Sequence, residues 1–128
     1  MATLDPPLGR LAVGTTYKLQ ANLFGWRTVG SCTVTESSPF RFAASGDYDV
    51  MGRRGDFDLA LALSDENATA TSGPCTVSAL GRNESGTYRR DGDQITFQGA
   101  GQRITVSPGD EDAVLLGIGG FPEVRIVR

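Results

Sequence analysis

Histidine is absent from this 128-residue chain, and cysteine occurs only twice, as Cys32 and Cys75. Histidine is the commonest general base, and its absence excludes the Ser/His and Cys/His nucleophile pairs and most zinc sites. Two cysteines cannot supply the four ligands of a structural zinc site. They form either one disulfide, which would contribute about 2–4 kcal/mol, or two buried thiols, which are usual in the cytosol. We therefore expect neither a metal nor a cofactor.

Basic residues are outnumbered, with 12 Lys and Arg against 15 Asp and Glu, which gives a net charge of −3. Nucleic-acid binding needs a basic face, so nucleic acid is not an expected partner. No apolar run approaches the roughly 20 residues of a membrane helix, so a membrane is not expected either. Residues 1–7 lack the basic and apolar regions of a signal peptide. The expected location is cytoplasmic, or extracellular if a leader was removed and Cys32 and Cys75 form a disulfide.

Apolar and polar residues alternate along several segments, as in Phe57, Leu59, Leu61 and Leu63, which alternate with polar or small residues. A period of two is typical of strands with one buried face. Seventeen glycines and turn sequences such as Asp91-Gly92 separate these segments. The pattern predicts strands at 15–24, 26–35, 39–50, 56–64, 68–80, 85–90, 94–98, 102–106, 113–118 and 123–127.

So many consecutive strands leave unpaired edges unless the sheet closes on itself. The predicted fold is all-β: a single antiparallel meander that closes into a barrel of about eight to ten strands. We expect one domain over 1–128, with 1–13 as a loose N-terminal arm. Cys32 and Cys75 share the parity of neighbouring apolar residues, which predicts that both point inward.

Two stretches of the chain resemble known small barrels. The hairpin at 86–97, with Gly86-Thr87-Tyr88, the Asp91-Gly92 turn and Ile95-Thr96-Phe97, resembles lipocalin-like (calycin) barrels. Together with 113–121, it also looks like the closing part of allene-oxide-cyclase-like barrels, a group that includes dirigent proteins and small bacterial cyclases of polyketide biosynthesis. The resemblance covers about a third of the chain. It implies a barrel that binds a hydrophobic small molecule or acts on one.

Aromatic residues fall mostly at inward parity in the predicted strands. One interpretation is a packed core, and the other is the wall of an apolar cavity in which tyrosine hydroxyls anchor a ligand. The candidate ligand-binding residues are Tyr17, Trp26, Phe42, Tyr48, Phe57, Tyr88 and Phe97.

Three functions are compatible with such a barrel. The first is binding of a hydrophobic small molecule, such as a polyketide, a fatty acid or a terpenoid-like compound. The second is a metal-free, cofactor-independent cyclase or isomerase that templates a flexible substrate, with Tyr48 and Tyr88 as candidate catalytic residues. The third is a secreted protein-binding or inhibitor module with a filled interior. Any of these could act as a homodimer. Whether the interior is hollow separates the first two from the third.

Overall fold

A computed structural model describes residues 8–50, 52–64, 70–79, 81–99, 101–109, 113–119 and 122–128. Within these ranges lie ten strands: β1 (Thr16–Asn22), β2 (Trp26–Ser38), β3 (Arg41–Val50), β4 (Arg53–Leu63), β5 (Ser72–Ala79), β6 (Arg82–Asp91), β7 (Gln94–Gly99), β8 (Gln102–Pro108), β9 (Val114–Ile118) and β10 (Val124–Val127). Each strand pairs antiparallel with the next, and β1 pairs with β10 to close a barrel. The predicted antiparallel barrel is confirmed. Over the described ranges there is no helix that could span a membrane.

The apolar and polar residues that alternate in the sequence lie on the inner and outer faces of the barrel, respectively. In β4, Leu59, Leu61 and Leu63 are buried, whereas Asp58 is exposed on the other face. Leu61 lies directly opposite Phe42 of β3, which is also buried. Cross-strand apolar pairs of this kind stabilise a sheet, and they keep this segment as a strand although its Leu and Ala content would also suit a helix.

Two glycines of β2 and β3 lie where these neighbouring strands approach closely. A Cβ atom on Gly30 or Gly46 would collide with the backbone of the adjacent strand, at Asp47 and Ser31 respectively. Glycine inside a strand marks such close approaches and allows the sharp bends that a closed barrel needs. The strand curvature is therefore encoded partly by these glycines.

One end of the barrel, called the closed end here, is covered by the segment 8–14. Leu8 and Leu11 of this segment are buried in the core. The N–H of Gly14 donates to the carbonyl oxygen of Val34 at 2.8 Å, which ties the segment to β2. The expectation of a loose arm over 1–13 is therefore wrong for 8–13, while 1–7 lie outside the described residues. The physical reason is that a barrel of more than eight strands has more interior than its own side chains fill, so the leading segment supplies apolar groups.

Cys32 and Cys75 are free thiols, and both are buried. Both side chains point inward, as their parity predicts. Of the two predicted states, one disulfide or two buried thiols, the structure has the thiols. Burial raises the pKa of each thiol from 9.0 to about 11, because the thiolate loses its hydration inside the core. Both are therefore protonated and unreactive near neutral pH.

Candidate functional site

The opposite end of the barrel, called the open end here, contains a cavity of about 630 Å³ that opens to solvent. The open end comprises the β1–β2 turn (23–25) and the first residues of β4 and β10. Small-molecule pockets typically measure roughly 300–1,000 Å³ and are mostly apolar. The wall of this cavity fits that description, since its side chains include Leu19, Leu23, Val50, Phe57, Leu59, Ile118 and Val124.

Small residues at inward positions help to leave this space empty. Ala21 of β1 and Ala79 of β5 line the cavity, and both are buried. Tyr48 of β3 lies in register between Gly30 on one side and Gly55 on the other. A row of glycine and alanine at positions where other strands carry leucine leaves the barrel unfilled at this end.

Tyr48 lies at the mouth of the cavity and is half-buried. A Cβ atom on Gly55 would come within 2.5 Å of the Tyr48 hydroxyl oxygen, so the ring lies across β4 where glycine leaves room. Aromatic side chains that cover a cross-strand glycine in this way help to hold register. Tyr48 also borders a second open depression of about 610 Å³, lined by Asp47, Asp49 and Asp56.

Of the predicted ligand-binding residues, Tyr48 and Phe57 line the cavity. The other inward-facing aromatic residues are buried in the core and do not line it; they are Tyr17, Phe42, Tyr88 and Phe97. The cavity wall is thus mainly aliphatic instead of aromatic. Among the candidate catalytic tyrosines, Tyr48 reaches the cavity and Tyr88 does not.

Trp26 lies on the outer face of the barrel. The Arg125 guanidinium stacks on its ring, 4.3 Å from the centroid, and the Arg125 Nε donates to Gln20 Oε1 at 2.6 Å. A β-bulge explains this placement: Leu19 pairs with Gly30, but Gln20 pairs with Thr28, so one extra residue lies between them. An extra residue reverses the parity of everything beyond it, so Trp26 faces outward although its spacing from Cys32 predicts the inside.

Arg53 begins β4 and lies opposite Val50 at the rim of the cavity. It has the same parity as Phe57 and Leu59, whereas its neighbour Arg54 faces the outside. The Arg54 Nε donates to Asp49 Oδ2 at 3.2 Å. Within the described ranges, Arg53 has no hydrogen-bond or ion-pair partner.

Sequence reasoning missed Arg53 and most of the aliphatic wall. The predicted fourth strand began at 56, so Arg53 was placed outside a strand and had no assigned face. Pro122 lies outside the predicted strands, where alternation makes no prediction, and Leu23, which was predicted inside the first strand, follows the observed end of β1. The order of the strands does predict that these residues lie close together, because successive hairpins of a meander place residues 23, 50 and 53 at the same end of the barrel.

Phe24 projects from the rim at the tip of the β1–β2 turn. Its side chain is fully exposed, at 107% of the reference area. Its backbone φ of 57° lies in the left-handed region, which a bulky residue adopts only at a cost in free energy. Asn22 supports this turn by accepting a hydrogen bond from the Gly25 N–H at 3.2 Å through its side-chain oxygen.

Comparisons with protein-family profiles, with curated proteins and with solved structures gave no match. The barrel that the lipocalin-like and allene-oxide-cyclase-like resemblances implied is present. Membership of either group stays a prediction. The geometry of the chain's own cavity is therefore the basis for assigning a function.

Proposed function

We propose that this protein binds a hydrophobic small molecule in the cavity at the open end of the barrel. The observation that supports this best is the contrast in packing within one core. The closed end is filled by Leu8, Leu11 and Tyr17, yet about 630 Å³ at the other end is left open to solvent. Apolar walls facing water are unfavourable unless another apolar surface covers them. A polyketide, a fatty acid or a terpenoid-like molecule has the chemistry to do so.

Binding would be driven by burial of apolar surface. A ligand that removes about 300 Å² of apolar surface from water gains roughly 7 kcal/mol, from which the cost of association must be subtracted. The pre-formed barrel keeps that cost low, since its strands are ordered by backbone pairing on both sides. Because roughly 7 kcal/mol alone corresponds to a dissociation constant of about 10 μM, we expect a ligand of this size to bind with a dissociation constant of tens of micromolar or weaker.

The test is titration with Nile red, a neutral dye whose fluorescence rises in apolar surroundings. Val124→Trp should weaken dye binding by at least about tenfold, because its side chain would occupy the cavity. Val127→Trp is the matched control, since Val127 lies on the same strand but on the outer face. Saturable binding that V124W loses and V127W keeps supports the proposal. Absence of saturable binding of Nile red and of a panel of fatty acids and polyketides would reject it.

Native mass spectrometry of the protein purified from its own host gives an independent check. A co-purifying small molecule that V124W does not carry would identify the ligand directly. Intrinsic tryptophan fluorescence is a poor reporter here, because Trp26 lies outside the barrel against Arg125.

The position of Tyr48 favours one alternative, a cyclase or isomerase that works in the same cavity. Tyr48 lies at the mouth and could donate a hydrogen bond to a developing oxyanion of a substrate. Tyr88 is buried outside the cavity wall, so it is not a candidate for this role. If the bound molecule leaves chemically changed, Tyr48→Phe should slow turnover while the affinity for substrate persists. The inhibitor-module hypothesis is not favoured, since it required a filled interior.

A further inference from the structure

We infer that the ligand of this cavity is an amphipathic monoanion, with an apolar body inside the barrel and a carboxylate-type head bound by Arg53. This inference rests on the proposed function and adds a substrate class to it. Three observations support it: the face on which Arg53 lies, the engagement of its basic neighbours, and the charges around the mouth.

Arg53 is the cationic side chain of the cavity wall. It lies at the rim, while Phe57 and Leu59 continue the same face of β4 into the barrel. Arg53 and Leu59 are six positions apart along the strand, which corresponds to about 20 Å at 3.3 Å per step. A charged group therefore stands at one end of a long apolar wall. That arrangement matches a ligand with a charged head and an extended apolar body.

The arginines on the strands that flank the mouth beside Arg53, in β2, β4 and β10, have partners within the chain. Arg54 pairs with Asp49, Arg125 bonds Gln20 and stacks on Trp26, and the Arg27 Nε donates to the Leu23 carbonyl oxygen at 3.3 Å. Arg53 makes no such contact with any residue that the structure describes. Its guanidinium, with donors arranged as a planar fork, is thus available for bidentate binding of a carboxylate.

Charge around the mouth limits the ligand to a small negative charge. Asp56 and Asp58 contribute to the cavity wall and follow Arg53 on the same strand, at outer-face parity. Asp47 lies directly opposite Asp56, so negative charge accumulates beside the rim. A polyanion such as a phosphate monoester would be repelled by these carboxylates, whereas a single carboxylate can be balanced by Arg53.

The test compares dodecanoate and hexadecanoate with the corresponding primary alcohols, by displacement of Nile red. The wild type should bind each acid about tenfold to a hundredfold more tightly than its alcohol, as expected for a charge-assisted hydrogen bond. Arg53→Gln should remove this preference by weakening the acid alone. Arg54→Gln is the matched control, because it removes the same charge from the adjacent outward position and should keep the preference. Arg53→Lys should restore only part of it.

The outcomes separate the two proposals. Equal binding of acids and alcohols by the wild type, or a preference that persists in R53Q, would overturn the role of Arg53 while leaving the apolar cavity as a binding site. Failure of Nile red, acids and alcohols alike to bind would reject the proposed function and this inference together. Thermal melts should show that R53Q folds as the wild type does, because Arg53 is exposed and without a described partner.

Discussion

The two ends of this barrel are formed by the same strands, yet one is filled and the other is not. At the closed end, the segment 8–14 inserts Leu8 and Leu11, and Tyr17 holds it through a 2.8 Å hydrogen bond from the Ala12 N–H. At the open end, the rim of a cavity carries Tyr48 and Arg53, and Arg53 has no partner among the described residues. Ten strands enclose more space than their own side chains fill. The leading segment fills one end, and the remaining space at the other end is open to solvent.

Two tyrosines repeat the same local arrangement in these different surroundings. Tyr88 lies opposite Gly73 and packs against it, as Tyr48 does with Gly55. Tyr88 is buried, and its hydroxyl has no hydrogen-bond partner among the residues described. Tyr48 is half-exposed at the cavity mouth. The pairing of tyrosine with glycine thus occurs in both places in the sheet, and the position of Tyr48 at the rim is what lets it reach the cavity.

The largest expected effect is the loss of stability when the closed end is emptied. Leu8→Ala should lower the free energy of unfolding by about 2–5 kcal/mol, because Leu8 is completely buried. Leu23→Ala at the cavity wall should cost less than about 1 kcal/mol, since Leu23 is partly exposed. The main effect of Leu23→Ala should be weaker ligand binding. Urea denaturation measures the first effect and Nile red titration the second. Equal losses of stability would show that the two ends do not differ in packing.

Alkaline pH should act mainly on the closed half, where Cys32 pairs with Tyr17 and Cys75 with Leu63. Each thiol has a pKa of 9.0 when exposed and about 11 in the fold. Between these values the unfolded chain has released protons that the folded chain keeps, so stability falls as pH rises. The stabilisation that each buried, protonated thiol provides is complete below pH 9. It is lost as the pH rises towards 11, which lowers the free energy of unfolding by up to about 3 kcal/mol per thiol.

The control for this pH dependence is the double variant Cys32→Ala and Cys75→Ala. The two proteins share every other titratable side chain, so the difference between their stability curves isolates the thiols. A double variant whose stability declines as steeply as that of the wild type would contradict the buried, protonated state of the cysteines. Thiol reagents at pH 8 should likewise react only after unfolding.

A smaller effect should distinguish the tyrosine hydroxyls. Tyr17→Phe should cost about 1–2 kcal/mol, because the Ala12 N–H loses its acceptor and the covering segment loosens. Tyr88→Phe should leave stability unchanged or raise it slightly, since the hydroxyl it removes is buried and has no hydrogen-bond partner among the described residues. Chemical denaturation of the two variants measures both. A loss in Y88F as large as that in Y17F would mean that the Tyr88 hydroxyl has a partner in solution.

The sequence predicts the strands well because alternation and turn residues act locally. The Asp91-Gly92 turn and the run from Phe57 to Leu63 are examples, and each lies where the pattern places it. The bulge near Val29 could not be predicted, since one extra residue leaves no mark in composition, yet it moves Trp26 to the outer face. Local patterns therefore specify the strands, while bulges decide which faces they present.

The cavity could not be predicted for a different reason. Whether a barrel is filled depends on strand number, stagger and what covers its ends, none of which is local. Leu8 and Leu11 have no strand periodicity, so nothing in their pattern shows that they fill the closed end. Arg53 precedes the clear alternation in β4, so the sequence pattern assigns its side chain to neither face. Its inward parity follows from the start of the strand at Arg53 in the structure.

The smallest expected effect lies at the rim, and it has the opposite sign. Phe24→Asn should raise the free energy of unfolding by about 0.5–1 kcal/mol, because asparagine tolerates a φ of 57° better than phenylalanine does. The ring is fully exposed, so the substitution removes little packing. A strained, exposed aromatic residue beside a cavity is the kind of feature that function retains against stability. If F24N is instead less stable than the wild type, the Phe24 ring packs against the protein in solution and covers part of the open end.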